Sequence, residues 1–399
     1  MSSELDLDLA VIGGGGHVGL PLSLLFADCG RSTAIIDTDA RKVDLIRSGQ
    51  MPFMEDDAPE MLKRTLASGT LTATTDVATI ARARFIICII GTPVDEHLNP
   101  NFTGIRNALE AARAHFRDGQ IFILRSTVFP GVSEHTQRFF DGLGKRVHVA
   151  FCPERVAQGV SLREFRTLPQ IISAFDPEIL AEVRRLFSAF VPEFLELTPI
   201  EAELCKLMTN AWRYLQFAAV NQFYMIARDR GLDFDRILHS CRHNYPRMAS
   251  MPGPGFAAGP CLVKDTMQLA AFSQDRFVLG HTAMLINEGL PSFIVDQASR
   301  QVNLREARAG ILGMAFKAGS DDRRDSLAYK LKKLLMLHAK EVLCTDPYVQ
   351  DESLVPLERV LEQADVLFVA TPHQQYRKLR VPPGKPVFDV WSALPKGNQ

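Results

Sequence analysis

The sequence predicts an α/β protein in which two doubly wound parallel sheets are joined by a central helical region with one long spine helix. Three observations predict it. Short apolar runs alternate with helical stretches in the first half, the last third repeats that pattern, and a segment without glycine or proline lies between them. In the first region Leu9–Ile12 reads as a buried strand, followed at once by Gly13–Gly19 and a helix from Leu20 to Cys29. Further strands at Thr33–Ile36, Phe85–Ile90 and Ile121–Leu124 run into Asp37, Gly91-Thr92-Pro93 and Ser126-Thr127.

A different texture begins at Thr198-Pro199, and residues 200 to 230 have continuous helical composition. Thirty residues at 1.5 Å each make a helix of about 45 Å, long for a globular protein and suited to a spine between domains and a dimer surface. The last third has strands at Ala309–Phe316, at Glu341–Thr345 ending in Asp346-Pro347, and at Ala364–Ala370. The last of these runs into Thr371-Pro372-His373, which echoes Gly91-Thr92-Pro93. Two Rossmann-like sheets of this kind imply domains at 1–198, 199–304 and 305–399 and a cleft for two nucleotide ligands.

The 399 residues carry 46% hydrophobic and 23% charged side chains and a formal net charge of -1. No basic field recommends a nucleic-acid or membrane partner, so an anionic ligand needs local helix N-termini, backbone N–H groups and a few placed Lys or Arg. The acidic start Met1–Asp8 lacks the flank and apolar run of a signal peptide, and no apolar run approaches the roughly 18 residues of a membrane helix. A cytoplasmic protein is expected. The seven cysteines (29, 88, 152, 205, 241, 261 and 344) are scattered and lack metal-ligand spacing. Apart from Cys261 they read as reduced, buried thiols, with neither disulfides nor a metal site expected.

Gly14-Gly15-Gly16-His17-Val18-Gly19 fits the G-x-G-x-x-G turn between a strand and a helix. Glycines there let the backbone approach a pyrophosphate, and the helix N-terminus supplies partial positive charge. Asp37 ends the next strand 21 residues beyond Gly16. A carboxylate there accepts hydrogen bonds from ribose hydroxyls and repels a 2′-phosphate, so NAD is favoured over NADP. The competing interpretation is a tight βα turn with a strand-end Asp that caps something else.

Five segments in order resemble the UDP-glucose/GDP-mannose dehydrogenases: Ser126–Gly131, Cys152-Pro153-Glu154-Arg155, Glu203–Asn210, Gly253–Asp265 and Gly313–Ser326. The resemblance covers nearly the whole chain. It implies NAD-dependent, four-electron oxidation of the primary alcohol of a nucleoside-diphosphate sugar to a uronic acid, for polysaccharide or glycoside biosynthesis, by a homodimer. Cys261 stands in the nucleophile position, and its thiolate can add to an aldehyde and later leave as a thioester is hydrolysed. A helix beginning at Cys261 would lower its pKa. Lys206 and Asn210 lie i,i+4 on the long helix and share a face, where the resemblance has them stabilise an oxyanion and hold a water. The bland alternative is a solvated face with a Glu203/Lys206 pair.

The resemblance assigns proton transfer and thioester hydrolysis to Glu154, Thr127 and Asp265, without saying which carboxylate is the base. It further implies cofactor contacts from Gly14, Gly16, His17, Val18, Gly19, Asp37, Thr92, Pro93, Thr127, Gln158, Lys264 and Arg324. Substrate contacts are implied for Glu154, Arg155, Lys206, Asn210, Phe256, Gly259, Phe316 and Lys317. The chain departs from the family pattern with Ala257 and Ala258 in place of glycines, Val263 and Leu327 in place of prolines, Gln158 in place of a glutamate and His17 as a space-filler.

The Cys-Pro-Glu-Arg form leans towards N-acetylhexosamine substrates such as UDP-N-acetylmannosamine, with UDP- or dTDP-glucose remaining open. Two rivals are a two-electron hydroxyacid dehydrogenase, which needs no thiol, and an inactive nucleotide-sugar-binding protein.

Overall fold

The computed structural model describes residues 5–95, 98, 100, 101 and 103–395, so Met1–Glu4 of the acidic start lie outside it. It divides into two compact units, 1–208 and 209–399.

The first unit is built on eight strands: β1 (Leu7–Ile12), β2 (Thr33–Ile36), β3 (Leu71–Thr74), β4 (Ala83–Cys88), β5 (Ile121–Leu124), β6 (His148–Phe151), β7 (Gln170–Ala174) and β8 (Phe194–Glu196). Their order is β3-β2-β1-β4-β5-β6-β7-β8. Adjacent residues feed opposite faces. Leu9, Val11, Ile35, Ile87, Ile121 and Ile123 enter one core, while Ala10, Ile12, Ala34, Ile86, Phe122 and Leu124 enter the other. This two-sided burial explains why the strands read as unbroken apolar runs. The parallel reading needs correction at one place: β7 runs antiparallel to β6, pairing Ala174 with Ala150. β3, β6, β7 and β8, of three to five residues each, were not among the expected strands although Gly or Pro residues flank them.

β1 pairs with β2 on one side and β4 on the other. The winding therefore reverses between β1 and β4, and in open α/β sheets that switch point is where a ligand crevice forms beyond the strand ends. The glycine turn after β1 and the Thr92-Pro93 segment after β4 both leave the sheet there.

The long helix is continuous from Pro199 to Asp229, 31 residues, as its composition predicted. In the second unit it is accompanied by helices Leu262–Phe272 and Val278–Ser299. The sheet of this unit has β9 (Arg308–Leu312), β10 (Glu341–Thr345), β11 (Val366–Val369) and β12 (Val387–Asp389), all parallel, in the order β10-β9-β11-β12. Its switch point lies between β9 and β11. Among the described residues no helix is long and apolar enough to cross a membrane.

A buried amide network holds the Gly/Pro-rich segment before Cys261. Asn221 on the long helix accepts from Gly255 N–H (2.8 Å) and donates to Gly255 C=O (3.0 Å) and to Asn287 (2.9 Å), and Asn287 donates to Tyr214 C=O (3.1 Å). Gly255 has φ +155, and a Cβ there would stand 2.3 Å from the Trp391 ring. This network holds the segment by its backbone, while Phe256 and Ala257 pack into the cores on either side of it. Asn221→Ala would leave several of these buried groups unsatisfied, and we expect urea denaturation to show a loss of about 1–3 kcal/mol with the fold retained.

Candidate active site

In the first unit the glycine turn is shaped by backbone crowding. Gly13 has φ +74, and a Cβ there would lie 2.1 Å from the Ile89 carbonyl oxygen. A Cβ on Gly14 would meet Val11 O at 2.8 Å, and one on Gly19 would meet Gly13 O at 2.7 Å. Gly16 is the open position of the set, with nothing nearer than 3.6 Å. Glycine is therefore required at 13, 14 and 19 to make the turn, and at 16 it leaves room for a ligand. Gly13, outside the G-x-G-x-x-G pattern, was not singled out from sequence.

Asp37 reaches back beneath this turn. One carboxylate oxygen accepts from Gly15 N–H (2.9 Å) and the other from Asp39 N–H (3.0 Å). Each oxygen keeps a further lone pair, so support of the turn and acceptance of ribose hydroxyls are compatible. The two interpretations of Asp37, cap and ribose acceptor, do not exclude each other. Val18 occupies the N-cap of helix Gly19–Asp28 and gives it no side-chain cap, which suits an anion at that terminus. The His17 ring packs tilted against Phe53, with ring centres 4.0 Å apart, in keeping with a space-filling role. These residues fit an NAD pyrophosphate and adenosine ribose.

At the ends of β4, β5 and β6 the site residues are tied to one another. Buried Thr92 donates its hydroxyl to the Thr127 carbonyl, while Pro93 is exposed. Glu154 accepts from Val156 N–H (2.9 Å), and its other oxygen lies 3.8 Å from the Lys206 ammonium. That distance is a charge pair rather than a hydrogen bond. With side-chain exposures of 5% for Lys206 and 15% for Glu154, the pair is shielded from water. The solvated-face alternative for Lys206 therefore fails. Glu203 does not pair with it either: its carboxylate accepts from Gly131 N–H (2.6 Å), Ser133 N–H (2.8 Å) and Ser133 Oγ (2.6 Å), capping helix Val132–Gly142. Burial pushes the Glu203 carboxyl up, against these hydrogen bonds.

Arg155 turns away from Glu154 and donates to the Pro169 carbonyl. Gln158 sits in the next turn, which buried Glu55 anchors by accepting from Gly159 N–H (2.8 Å) and Ser161 N–H (2.5 Å). Arg125 was missed from sequence. It follows β5, is fully buried, and donates to Cys152 C=O (2.9 Å) and Gln170 (3.0 Å) with its guanidinium 5.2 and 5.1 Å from the Phe165 and Phe187 ring centres. Burial lowers its pKa to about 10, with nearby Glu154 among the opposing charges. An arginine directly after a strand of four buried apolar residues was the available signal.

In the second unit Cys261 is exposed and occupies the N-cap of helix Leu262–Phe272. Its carbonyl accepts from Asp265 N–H (2.9 Å), so the helix begins at the cysteine as the sequence suggested. Asp265 is completely buried, and it accepts from Asn210 Nδ2 (2.5 Å) and from the Lys264 ammonium. Buried charge of this kind is tolerable only when paired, and here the partners are both site residues. Gly259 has φ +99 and its Cβ position lies 2.5 Å from the Phe316 ring, while its N–H donates to Asp325 C=O (3.1 Å). Phe256, expected at the substrate, packs into the core beside the second sheet with 4% exposure, which leaves little surface for a ligand.

Arg324 forks onto Asp322 with contacts of 2.6 and 3.0 Å. The Asp322 hydrogen bond favours its charged form, burial opposes it, and Cys261 is among the further groups that favour it. Lys317 is half-buried in the turn after β9. All seven cysteines are free thiols, but the expectation of buried thiols holds only for Cys88, Cys152 and Cys344. Cys205 and Cys241 are half-buried, and Cys29 is exposed. Among the described residues no group of three or more His, Cys, Asp or Glu is placed to hold a metal ion.

Comparison with known proteins matches three family models along the chain, all described as UDP-glucose/GDP-mannose dehydrogenase family: the NAD binding domain over residues 8–191, the central domain over 200–288 and the UDP binding domain over 310–396. The chain is 30% identical over 376 residues to UDP-N-acetyl-D-mannosamine dehydrogenase of Pyrococcus horikoshii, covering 91% of this chain and 89% of that protein. It is 28% identical to NDP-N-acetyl-D-galactosaminuronic acid dehydrogenase of Ralstonia nicotianae, over 95% of this chain and 94% of the relative.

Among solved structures it is similar to the UDP-D-ManNAc dehydrogenase of Pyrococcus horikoshii, with TM-score 0.91, 27% identity and coverage of 98% and 96% of the two chains. It is also similar to a UDP-glucose dehydrogenase from Pyrobaculum islandicum, with TM-score 0.89, 26% identity and coverage of 97% and 95%. Matched by family models over both sheets and the helical region between them, the chain belongs to the UDP-glucose/GDP-mannose dehydrogenase family and is an NAD-dependent nucleotide-sugar dehydrogenase.

Proposed function

We propose that the chain oxidises the 6-hydroxymethyl group of a UDP-N-acetylhexosamine, with UDP-N-acetylmannosamine the first candidate, to the uronic acid. The observation that carries the covalent route is Cys261, exposed at a helix N-terminus immediately after a backbone-held glycine segment. The sugar class rests on the Cys152–Arg155 motif and on the activity named for relatives such as that of Pyrococcus horikoshii. The three-part division at 1–198, 199–304 and 305–399 and a cytoplasmic location belong to the same reading.

Gly14, Gly16, Val18, Gly19 and Asp37 would hold NAD, with Thr92, Pro93, Thr127, Gln158, Lys264 and Arg324 as further contacts. When bound, NAD supplies the hydride acceptor for each of two oxidations. Lys206 and Asn210, one turn apart on a continuous helix, donate to the sugar oxygen as it becomes an alkoxide and again as it becomes a hemiacetal oxyanion. Cys261 captures the aldehyde as a thiohemiacetal, and the thioester formed on its oxidation is cleaved by water. Glu154, kept beside the Lys206 charge, takes the proton of that water, with Thr127 ordering it. Asp265, buried and bonded to Asn210 and Lys264, orients both donors. Lys317 pairs with the diphosphate as a point charge, and Arg155, Gly259 and Phe316 border the substrate.

A homodimer through the central helix also belongs to this reading. Trp212, Phe223 and Ile226 are 62%, 49% and 60% exposed along it, more apolar surface than a lone helix face keeps in water.

Wild-type enzyme should release two NADH per nucleotide sugar; one NADH would favour the hydroxyacid-type rival. Cys261→Ala should bind both ligands in calorimetry yet fail to turn over, and wild-type turnover by that variant refutes the covalent route. Asp37→Asn, which removes the charge facing a 2′-phosphate, should raise KM for NAD roughly tenfold and narrow the preference over NADP. In sedimentation velocity, Ile226→Glu should shift the species from dimer to monomer.

A further inference from the structure

The turn after β9 carries Lys317, and its later part is held by its own Ser320, Asp322 and Ser326 side chains. Its base is held by Asp346, which ends β10. One oxygen of that carboxylate accepts from Met314 N–H (2.6 Å) and Ala315 N–H (2.9 Å), and the other from Tyr348 N–H (2.8 Å) and Val349 N–H (2.9 Å). A further contact comes from the His373 ring, 3.0 Å from the first oxygen, with both side chains at 0% exposure. Burial pushes the Asp346 carboxyl up, but the His373 contact and the backbone donors outweigh it and hold the pKa at about 2.

The other ring nitrogen of His373 reaches the tip of the same turn, where Nδ1 lies 3.2 Å from the Gly319 N–H. A backbone N–H only donates and an ionised carboxylate only accepts, so the two contacts select one tautomer, with the proton on Nε2 towards Asp346 and Nδ1 as acceptor. The ring is packed edge-on between Tyr348 and Tyr376, at 5.1 and 5.7 Å. Two residues earlier, Thr371 donates to Ala315 C=O (2.6 Å). Gly319 itself is exposed and has φ +67. A buried histidine usually satisfies its neighbours in the core; this one spends its second nitrogen on an exposed loop amide two residues from Lys317.

We propose that His373 is a positioning residue for the turn that carries Lys317. Its Nδ1, made an acceptor by the tautomer that Asp346 selects, holds the Gly319 N–H, and that bond sets where the Lys317 ammonium stands for the phosphates of a nucleoside diphosphate. The phosphate half of this inference rests on the substrate role proposed above for Lys317; the loop-anchoring half does not. His373 does not touch the ligand, being fully buried.

Two substitutions in the full-length protein separate the ring's two bonds. His373→Gln places an amide near the Nε2 position and keeps the Asp346 donor while losing the Gly319 acceptor. His373→Asn places an oxygen near the Nδ1 position and keeps the acceptor. With UDP as the calorimetric probe, we expect His373→Gln to weaken binding about five- to tenfold, of the order of one lost hydrogen bond, and His373→Asn to stay within twofold of wild type. Hydrogen exchange over residues 316–324 should rise in the Gln variant alone. In a Lys317→Ala background, His373→Gln should weaken UDP no further.

Equal effects of the two substitutions, or unchanged exchange in His373→Gln, would overturn the proposal. If Lys317→Ala leaves UDP affinity unchanged, the phosphate role of Lys317 fails, and the exchange comparison still decides the anchoring. Should the Gln variant not fold, the wild-type Gly319 amide is the readout: slow exchange at this exposed residue supports the bond, and exchange at the rate of an unprotected amide refutes it.

Discussion

Turns at strand and helix ends leave backbone N–H groups without partners inside their own element. This chain meets that constraint repeatedly with a carboxylate placed behind the turn that accepts its backbone N–H groups. Asp37 holds Gly15, Glu55 holds Gly159 and Ser161, Glu203 holds Gly131 and Ser133, and Asp346 holds Met314 and Ala315. Each acceptor comes from a segment remote in sequence from the turn it supports. Hydrogen bonds to a charged acceptor are stronger than neutral ones and retain their strength where water is excluded.

The two sheets apply this device in the same place. In each, the first strand of the unit sits between its successor and a strand from later in the chain, and the successor ends in the aspartate that reaches back. The outcomes differ. Asp37 keeps partial exposure and spare acceptor capacity, as a ribose contact needs, whereas Asp346 is fully enclosed by four backbone donors and His373. The same residue type at equivalent strand ends thus keeps spare acceptor capacity in one sheet and is taken up wholly by the protein in the other.

Charge at the candidate site is handled by pairing rather than by solvent. Lys206 faces Glu154, and Asp265 is shared between Lys264 and Asn210. A buried charge without such a partner would shift its protonation or destabilise the fold by several kcal/mol. The pairing lets Lys206 stay buried beside Glu154 and fixes the amide of Asn210 as a donor to Asp265.

Much of this was legible from residues alone because it depends on local pattern. Strands at Thr33–Ile36, Ile121–Leu124 and Glu341–Thr345 have the bounds expected of them, as does the long helix to within a residue at each end. Those elements have apolar runs or composition that one window contains. The glycine turn, the strand-end Asp37 and the helix start at Cys261 were equally readable, since backbone crowding and capping act over a few residues. What the tertiary structure decided is every partner distant in sequence: the reversal of β7, Arg125 between two phenylalanines, Glu203 on a helix cap in place of Lys206, Phe256 in the core, and the Asp346–His373 pair beneath Gly319. The physical reason is that a buried polar group takes whichever partner the packed fold brings within 3 Å, and no periodicity in the chain encodes that choice.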